Sequence, residues 1–144
     1  MKAFTFELEP LLFMRKTAEE ACGEKLQTEL HKLHEMQEIL KNLHTEYRES
    51  CTKLNSGSFS ISELEFHNRW SNRLLKQLNE ARSAVMAQTR RVNDLRKEML
   101  ELHQDKRVIE VLKEKEYKKY VKEADRQENK DNDELTIQRF NLNK

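Results

Sequence analysis

The chain reads CGEKLQTELHKLHEMQEILKNLHTEYRESCTKL from residue 22 to residue 54, and this stretch decides the fold. Apolar side chains recur at every seventh position, as Leu26, Leu33, Leu40, Tyr47 and Leu54. The complementary row contains Cys22, Met36 and Leu43, with Glu29 and Ser50 as polar exceptions. A strict seven-residue repeat keeps one narrow seam of a helix against a partner helix and predicts a left-handed coiled coil.

The same repeat returns further along the chain and supplies the partner helix. One row contains Leu64, Leu78, Val85, Val92 and Met99, with Ser71 as a gap. The other row contains Leu74, Ala81, Leu95 and Leu102, with His67 and Gln88 as polar members. We expect the polar seam residues Glu29 and Gln88 to lie at a similar height, where a polar layer fixes register at some cost in stability.

The break between the repeats is residues 55–62, NSGSFSIS, where Gly57 and four serines favour a turn. Ser60 with Glu63, or Ser62 with Glu65, has the spacing of a capping box that restarts a helix. A short linker makes the two helices antiparallel neighbours. The predicted fold is all-α, a single coiled-coil domain over residues 1–144. Helix 1 covers about 10–54, the turn 55–61 and helix 2 about 62–129, with 130–144 frayed or disordered.

Composition excludes several classes of protein. Of the 144 residues, 37% are charged and 36% hydrophobic, with two glycines and one proline, which is too few apolar groups for a multilayered core. The 27 basic and 26 acidic residues are interleaved, so nucleic acid is not expected as a partner. The N-terminal apolar run is interrupted by Glu7 and Glu9, with Lys2 as its only basic flank, so we do not expect it to be a signal peptide. No apolar stretch is long enough for a membrane span. Cys22 and Cys51 lie about 40 Å apart on one helix and are predicted to be free thiols.

Helix lengths of about 67 Å and about 100 Å predict that helix 2 overhangs helix 1. An apolar stripe continues along the overhang as Val108, Ile109, Val111, Leu112, Tyr117, Tyr120, Val121 and Ala124. Such a stripe needs a cover. Either another protein provides it, or residues 1–9, with Phe4, Phe6 and Leu8, fold back over its near end.

Aromatic residues gather beside the turn, outside the strict seam. Phe59, Phe66 and Trp70 either seal the hairpin tip or dock another protein, because aromatic side chains are enriched at interfaces. By contrast, we expect no catalytic, cofactor or metal site. A two-helix coil offers no dry pocket, no glycine-rich phosphate loop exists, and His31 and His34 lie on the solvent face.

The order of short motifs resembles one known family. Phe4-x-Phe6-x-Leu8, Leu11-Leu12 and Arg15 open the chain, and Glu46-Tyr47-Arg48 precedes the turn. The remaining motifs are Lys106-Arg107, Leu112-Lys113-Glu114, Glu128-Asn129-Lys130, Asp133-Glu134 and Gln138-Arg139. In their order and spacing these motifs are similar to those of the FliJ family of flagellar export proteins.

The resemblance implies a cytoplasmic stalk-like coiled coil, peripheral at the inner membrane, that promotes assembly and activity of the hexameric flagellar export ATPase. It also implies contact with the export-gate membrane protein and with export chaperones. By position, the ATPase end falls on Leu12, Arg15, Leu112, Tyr117 and Tyr120. The gate-binding region falls on Met36, Leu40, Leu43 and Tyr47, with Leu74, Leu78 and Ala81 opposite. Trp70, the aromatic residue beside the turn, is added to this region as a candidate docking residue.

Other functions stay open at the level of sequence. The equivalent stalk of a virulence secretion system shares the same physics. A scaffold coiled coil would dimerise through the overhanging stripe, whereas the stalk is expected to be a monomer when free. An adaptor for nucleic acid is a further alternative, and an enzyme is not expected.

Overall fold

The computed structural model describes residues 2–143 and contains two long helices. Helix α1 spans Glu9–Asn55 and helix α2 spans Ile61–Leu142, and no strand occurs among the described residues. The helices pack against each other as an all-α helical hairpin, and α2 is the longer, as predicted. Two compact units divide the chain. The hairpin unit is Ala21–Met99, and the terminal unit combines the residues up to Glu20 with those from Leu100 onward.

The predicted seam forms the core of the hairpin unit. Cys22, Leu74, Leu78 and Val92 are its buried apolar residues, and all four belong to the seven-residue rows. The Cys22 thiol donates to the Leu95 carbonyl at 3.8 Å, and Ser50 Oγ lies 3.4 Å from His67 Nε2. A residue early in α1 therefore contacts a late residue of α2, and a late residue of α1 contacts an early one. This pairing confirms the antiparallel arrangement. Both cysteines are free thiols, as expected.

The turn uses one of the two predicted capping boxes. The Glu63 backbone N–H donates to Ser60 Oγ, and the Ser60 backbone N–H donates to the Glu63 carboxylate, each at 3.2 Å. Ser60 is thus the N-cap of α2, which begins at Ile61. This reciprocal pair satisfies two backbone donors that a helix start otherwise leaves without partners.

The sequence predicts that helix α2 ends near Asn129, but the helix continues to Leu142. The sequence from 130 to 142 holds no proline or glycine that would stop a helix. Local bonds support the added turns, since Gln127 donates to Asp131 at 3.3 Å and the Thr136 hydroxyl donates to the Asn132 carbonyl at 2.9 Å. Within residues 2–143, neither helix has an apolar segment that could span a membrane.

Candidate protein-binding surfaces

The N-terminal segment, residues 2–8, folds over α2 in the terminal unit. Phe6 is buried, and the ring of Phe4 lies 5.2 Å from that of Tyr117 and 5.5 Å from that of Tyr120, measured between centroids. The Tyr120 hydroxyl donates to the Lys2 carbonyl at 2.8 Å. Of the two covers considered for the near end of the stripe, the structure therefore has the intramolecular one.

This cover changes what the five predicted ATPase-end residues can do. Leu12 and Tyr117 line a shallow cavity together with Phe4, and Tyr117 remains 51% exposed. Tyr120 is half-buried under the N-terminal segment, while the Arg15 guanidinium donates to the Asp105 carbonyl at 2.8 Å. Leu112 does not line this cavity and has 38% of its surface exposed. Leu112 and Tyr117 are thus the accessible members of the set.

An ion-pair cluster joins the start of α1 to α2 in the terminal unit. The Glu19 carboxylate lies 2.7 Å from Lys106 Nζ and 3.1 Å from His103 Nδ1. The hydrogen bond to Lys106, reinforced by the one to His103, lowers the Glu19 pKa although burial opposes the shift. The same bond raises the Lys106 pKa. Because Glu19 is only 14% exposed, water screens this pair less than a surface ion pair.

The far side of α2 carries apolar residues that this cluster and the N-terminal segment leave uncovered. Val108, Val111 and Leu112 line a shallow groove, and Val108 is 64% exposed. Arg107 and Lys115 border the groove. Positions 108, 111, 112 and 115 recur at spacings of three and four, so they share one helix face. The predicted apolar stripe therefore has two sides, one covered within the chain and one exposed.

A polar layer interrupts the seam of the hairpin unit at the predicted height. Gln88 Nε2 donates to Glu29 Oε2 at 2.6 Å and to the Glu29 carbonyl at 2.9 Å. Lys32 Nζ lies 3.4 Å from the same carboxylate. The hydrogen bond from Gln88 is the main cause of a lowered Glu29 pKa. The prediction that Glu29 and Gln88 lie at a similar height is confirmed.

The predicted gate-binding residues separate into two groups. Leu74 and Leu78 are each only 2% exposed, so they are seam residues that a partner could reach only by opening the hairpin. Met36, Leu40, Leu43 and Tyr47 are half-buried along α1. Trp70 stands apart from both groups, with 45% of its surface exposed.

The aromatic residues at the tip do not close over it. Phe66 is 72% exposed, and Phe59 lies beside it in a shallow surface cavity. Polar groups occupy the seam below them, where Ser50 Oγ is 3.3 Å from Ser71 Oγ. Trp70 borders this cluster on one side. The tip therefore presents an aromatic surface rather than an aromatic plug.

Candidate metal-ligating side chains are not grouped into a site in the part of the chain that the structure describes. Among residues 2–143, no group of three or more His, Cys, Asp or Glu side chains is placed to hold a metal ion. His31 pairs instead with Glu35 on the exposed face of α1, at 3.1 Å. A hydrogen bond to Cys51 raises the Tyr47 pKa.

Sequence reasoning missed two features of the terminal unit. The ion pairs around Glu19 gave no signal, because charged residues surround it on both helices and only the packing selects Lys106. A further cross-helix pair, between Lys113 and Glu9 at 2.7 Å, was missed for the same reason. The alternation of Phe4, Phe6 and Leu8 did indicate a covering segment, but its periodicity alone could not decide between a partner and the chain itself.

Comparison with known proteins adds one result to this geometry. A family model described as the flagellar FliJ protein matches residues 4–144, which is nearly the whole chain. No curated protein and no solved structure matches the chain. A match of this extent spans both helices, the turn and most of the N-terminal segment. The chain therefore belongs to the FliJ family of flagellar export proteins.

Proposed function

We propose that this protein is a non-enzymatic, stalk-like coiled coil of the flagellar type III export apparatus. It binds the hexameric export ATPase and the cytoplasmic region of the export-gate membrane protein, and it promotes ring assembly, hydrolysis and export. The observation that carries the proposal is the family match over residues 4–144. The flagellar family description favours this function over the equivalent stalk of a virulence secretion system.

The ATPase-binding surface of this proposal lies on the terminal unit. Leu112 and Tyr117 are the exposed apolar members there, and Arg15 joins α1 to α2 through its bond to the Asp105 carbonyl. A pair of packed helices lacks six-fold symmetry, so it contacts the subunits of a hexameric ring unequally. Unequal contact biases the conformations of the subunits, and this differential binding is the physical basis of activation.

The gate-binding surface lies on the hairpin unit. Trp70 and Phe66 supply exposed aromatic area, which binds partners at a small entropic cost. The half-buried residues Met36, Leu43 and Tyr47 on α1 offer further apolar area. Leu74 and Leu78 act indirectly in this proposal, because they hold the seam on which the surface rests.

A pull-down with the export ATPase and with the gate's cytoplasmic domain tests both surfaces. Leu112→Asp is expected to weaken retention of the ATPase and to leave the gate domain bound. Trp70→Ala is expected to weaken retention of the gate domain and to leave the ATPase bound. Met86→Asp is the control for Leu112→Asp, because Met86 is also exposed on α2, at 60%. Ile39→Ala serves as the exposed control for Trp70→Ala. If the wild-type chain retains neither partner, the proposal fails.

Light scattering tests the remaining part of the proposal, that the free protein is a monomer. A scaffold that dimerises through the exposed side of the stripe would give twice the 17.3 kDa mass of the chain. Leu112→Asp would then return the mass to that of one chain. A monomeric wild type supports the stalk proposal, and a dimer sensitive to Leu112→Asp supports the scaffold.

A further inference from the structure

Lysine side chains continue the exposed face of α2 beyond Val108 and Leu112. Lys115, Lys118, Lys119 and Lys122 follow at helical spacings of three and four, and all four are exposed. We call this set the lysine stripe. None of the four forms an ion pair with another residue of the described chain, 2–143.

Basic residues on the other sides of the same segment are paired. Lys106 contacts Glu19 at 2.7 Å and Arg107 contacts Glu110 at 3.2 Å. Lys113 contacts Glu9 at 2.7 Å. The acidic residues Glu110 and Glu114 are thus already engaged by basic neighbours. Lys106, Arg107 and Lys113 are therefore paired, whereas the four residues of the lysine stripe have no ion pair among the described residues.

We propose that the lysine stripe, with Val108 and Leu112 at its N-terminal end, docks an acidic protein surface that has an apolar socket beside its carboxylates. Of the carboxylates among residues 114–123, Glu114 pairs with Arg107 and Glu123 pairs with Arg126, which leaves Glu116 beside four unpaired lysines. The four lysines supply the positive side of a complementary pair. The exposed valine and leucine supply the apolar contact that fixes position along the stripe.

The arrangement of apolar and basic residues favours a protein over a lipid surface. A helix that lies in a membrane interface has apolar residues along its whole length on one side and basic residues on the flanks. In this face the two classes follow each other along the axis, because Val108, Val111 and Leu112 precede all four lysines. A lipid layer could not satisfy both ends of the face at the same depth, whereas a shaped protein surface can.

The export ATPase is the partner to test, and in this choice the inference rests on the proposed function. The probe is the purified ATPase, and the measurement is its Kd for the full-length chain. In one variant Lys115, Lys118, Lys119 and Lys122 are all changed to Glu. The control changes Lys25, Lys41, Lys76 and Lys97, which are exposed in the hairpin unit, to Glu, so that net charge changes equally.

The lysine-stripe variant is expected to raise the Kd at least about tenfold and to reduce its dependence on salt, whereas the control stays within about twofold. Val108→Asp should also weaken binding, with Met86→Asp as its exposed control. Circular dichroism checks that each variant keeps its helices. If the four changes to Glu unfold the terminal unit, a variant with the same four lysines changed to Gln replaces it. This variant is also expected to raise the Kd more than the matching Lys-to-Gln control does.

Equal losses in the lysine-stripe variant and the control would overturn the inference while leaving the proposed function standing. No binding of the wild-type chain to the ATPase would overturn both. Two further probes, phosphatidylglycerol vesicles and duplex DNA, separate other anionic partners. Stripe-dependent binding to either one, without an effect of the stripe on ATPase affinity, would also overturn the inference.

Discussion

A side-chain amide holds the Glu29 carboxylate inside the apolar seam of the hairpin unit. The carboxylate would be costly to bury alone, but Gln88 donates to it at 2.6 Å and Lys32 approaches from the exposed side. A satisfied polar group of this kind fixes the register of two helices, since sliding by one heptad would place Glu29 against an apolar residue.

Replacing Gln88 with Leu tests the energy of this layer. The change leaves the buried carboxylate without its main donor and is expected to lower the free energy of unfolding by about 2 kcal/mol. The double variant Glu29→Leu with Gln88→Leu should recover this loss, because no buried charge remains. Urea unfolding followed by circular dichroism measures both. A single variant as stable as the wild type would show that the hydrogen bond does not hold the layer.

Acid should weaken the terminal unit through Glu19 and the hairpin unit through Glu29. The pKa of each is lower in the folded chain than its ordinary value of 4.5, mainly through hydrogen bonds from Lys106 and Gln88 respectively. A lowered folded pKa gives stability that is present above the unfolded value and disappears as pH falls through the folded value.

Glu19→Gln should therefore reduce the urea midpoint at pH 6, and the difference from the wild type should shrink as the pH falls below 4.5, the ordinary pKa of this carboxyl. Glu20→Gln is the control, because Glu20 is an exposed neighbour without an ion pair among those of the described chain. The account of this cluster fails if both variants have the same pH profile.

The two ends of α2 differ in what supports them. From Leu74 to Val92 the helix contributes buried seam residues, whereas every side chain from Asp125 to Asn143 is exposed. Most helical stability in proteins comes from packing, and local bonds such as Thr136 to Asn132 add only a little.

Hydrogen exchange should follow this difference. Backbone amides from 130 to 142 are expected to exchange within seconds, while those from Leu74 to Val92 exchange only through unfolding of the hairpin unit. Mass spectrometry of peptic fragments measures both in one experiment. The measurement is repeated with the export ATPase added. Slower exchange of residues 130–142 in its presence would indicate that this end of α2 lies at the interface with the ATPase. Equal protection of both segments in the free protein would contradict the account.

The N-terminal segment is a structural element of the terminal unit despite having no helix. Phe6 is buried, so Phe6→Ala is expected to destabilise this unit by about 3 kcal/mol. Phe13→Ala is the matched control, because Phe13 is 70% exposed and its loss should change stability by less than about 0.5 kcal/mol. Chemical unfolding of each variant compares them. Equal effects would mean that residues 2–8 do not pack as described.

The sequence predicted the fold well where periodicity decides. The rows containing Leu74, Leu78 and Val92 gave the seam, and Glu29 with Gln88 gave its polar layer. It failed at the end of α2, because polar composition does not tell a solvated helix from a frayed one. The binding surfaces were harder to predict, because a leucine can lie either in the buried seam or on a surface that contacts a partner. Only the packing showed that Leu74 is buried and that Leu112 is exposed.

Family membership assigns the molecule to flagellar protein export. The described surfaces suit that role, since the terminal unit and the hairpin unit each have exposed apolar residues, Leu112 and Tyr117 in one and Phe66 and Trp70 in the other. Two distinct surfaces on one chain allow two partners to bind without competing for the same residues.

The most direct test of this account is the effect of the protein on the export ATPase. ATP hydrolysis and particle mass are measured together, by phosphate release and light scattering, with the chain at stoichiometric excess. The account predicts a larger hexameric fraction and a higher rate with the wild type, and little effect of a variant carrying Leu112→Asp and Tyr117→Ala. An unchanged oligomer size and an unchanged rate with the wild type would contradict it.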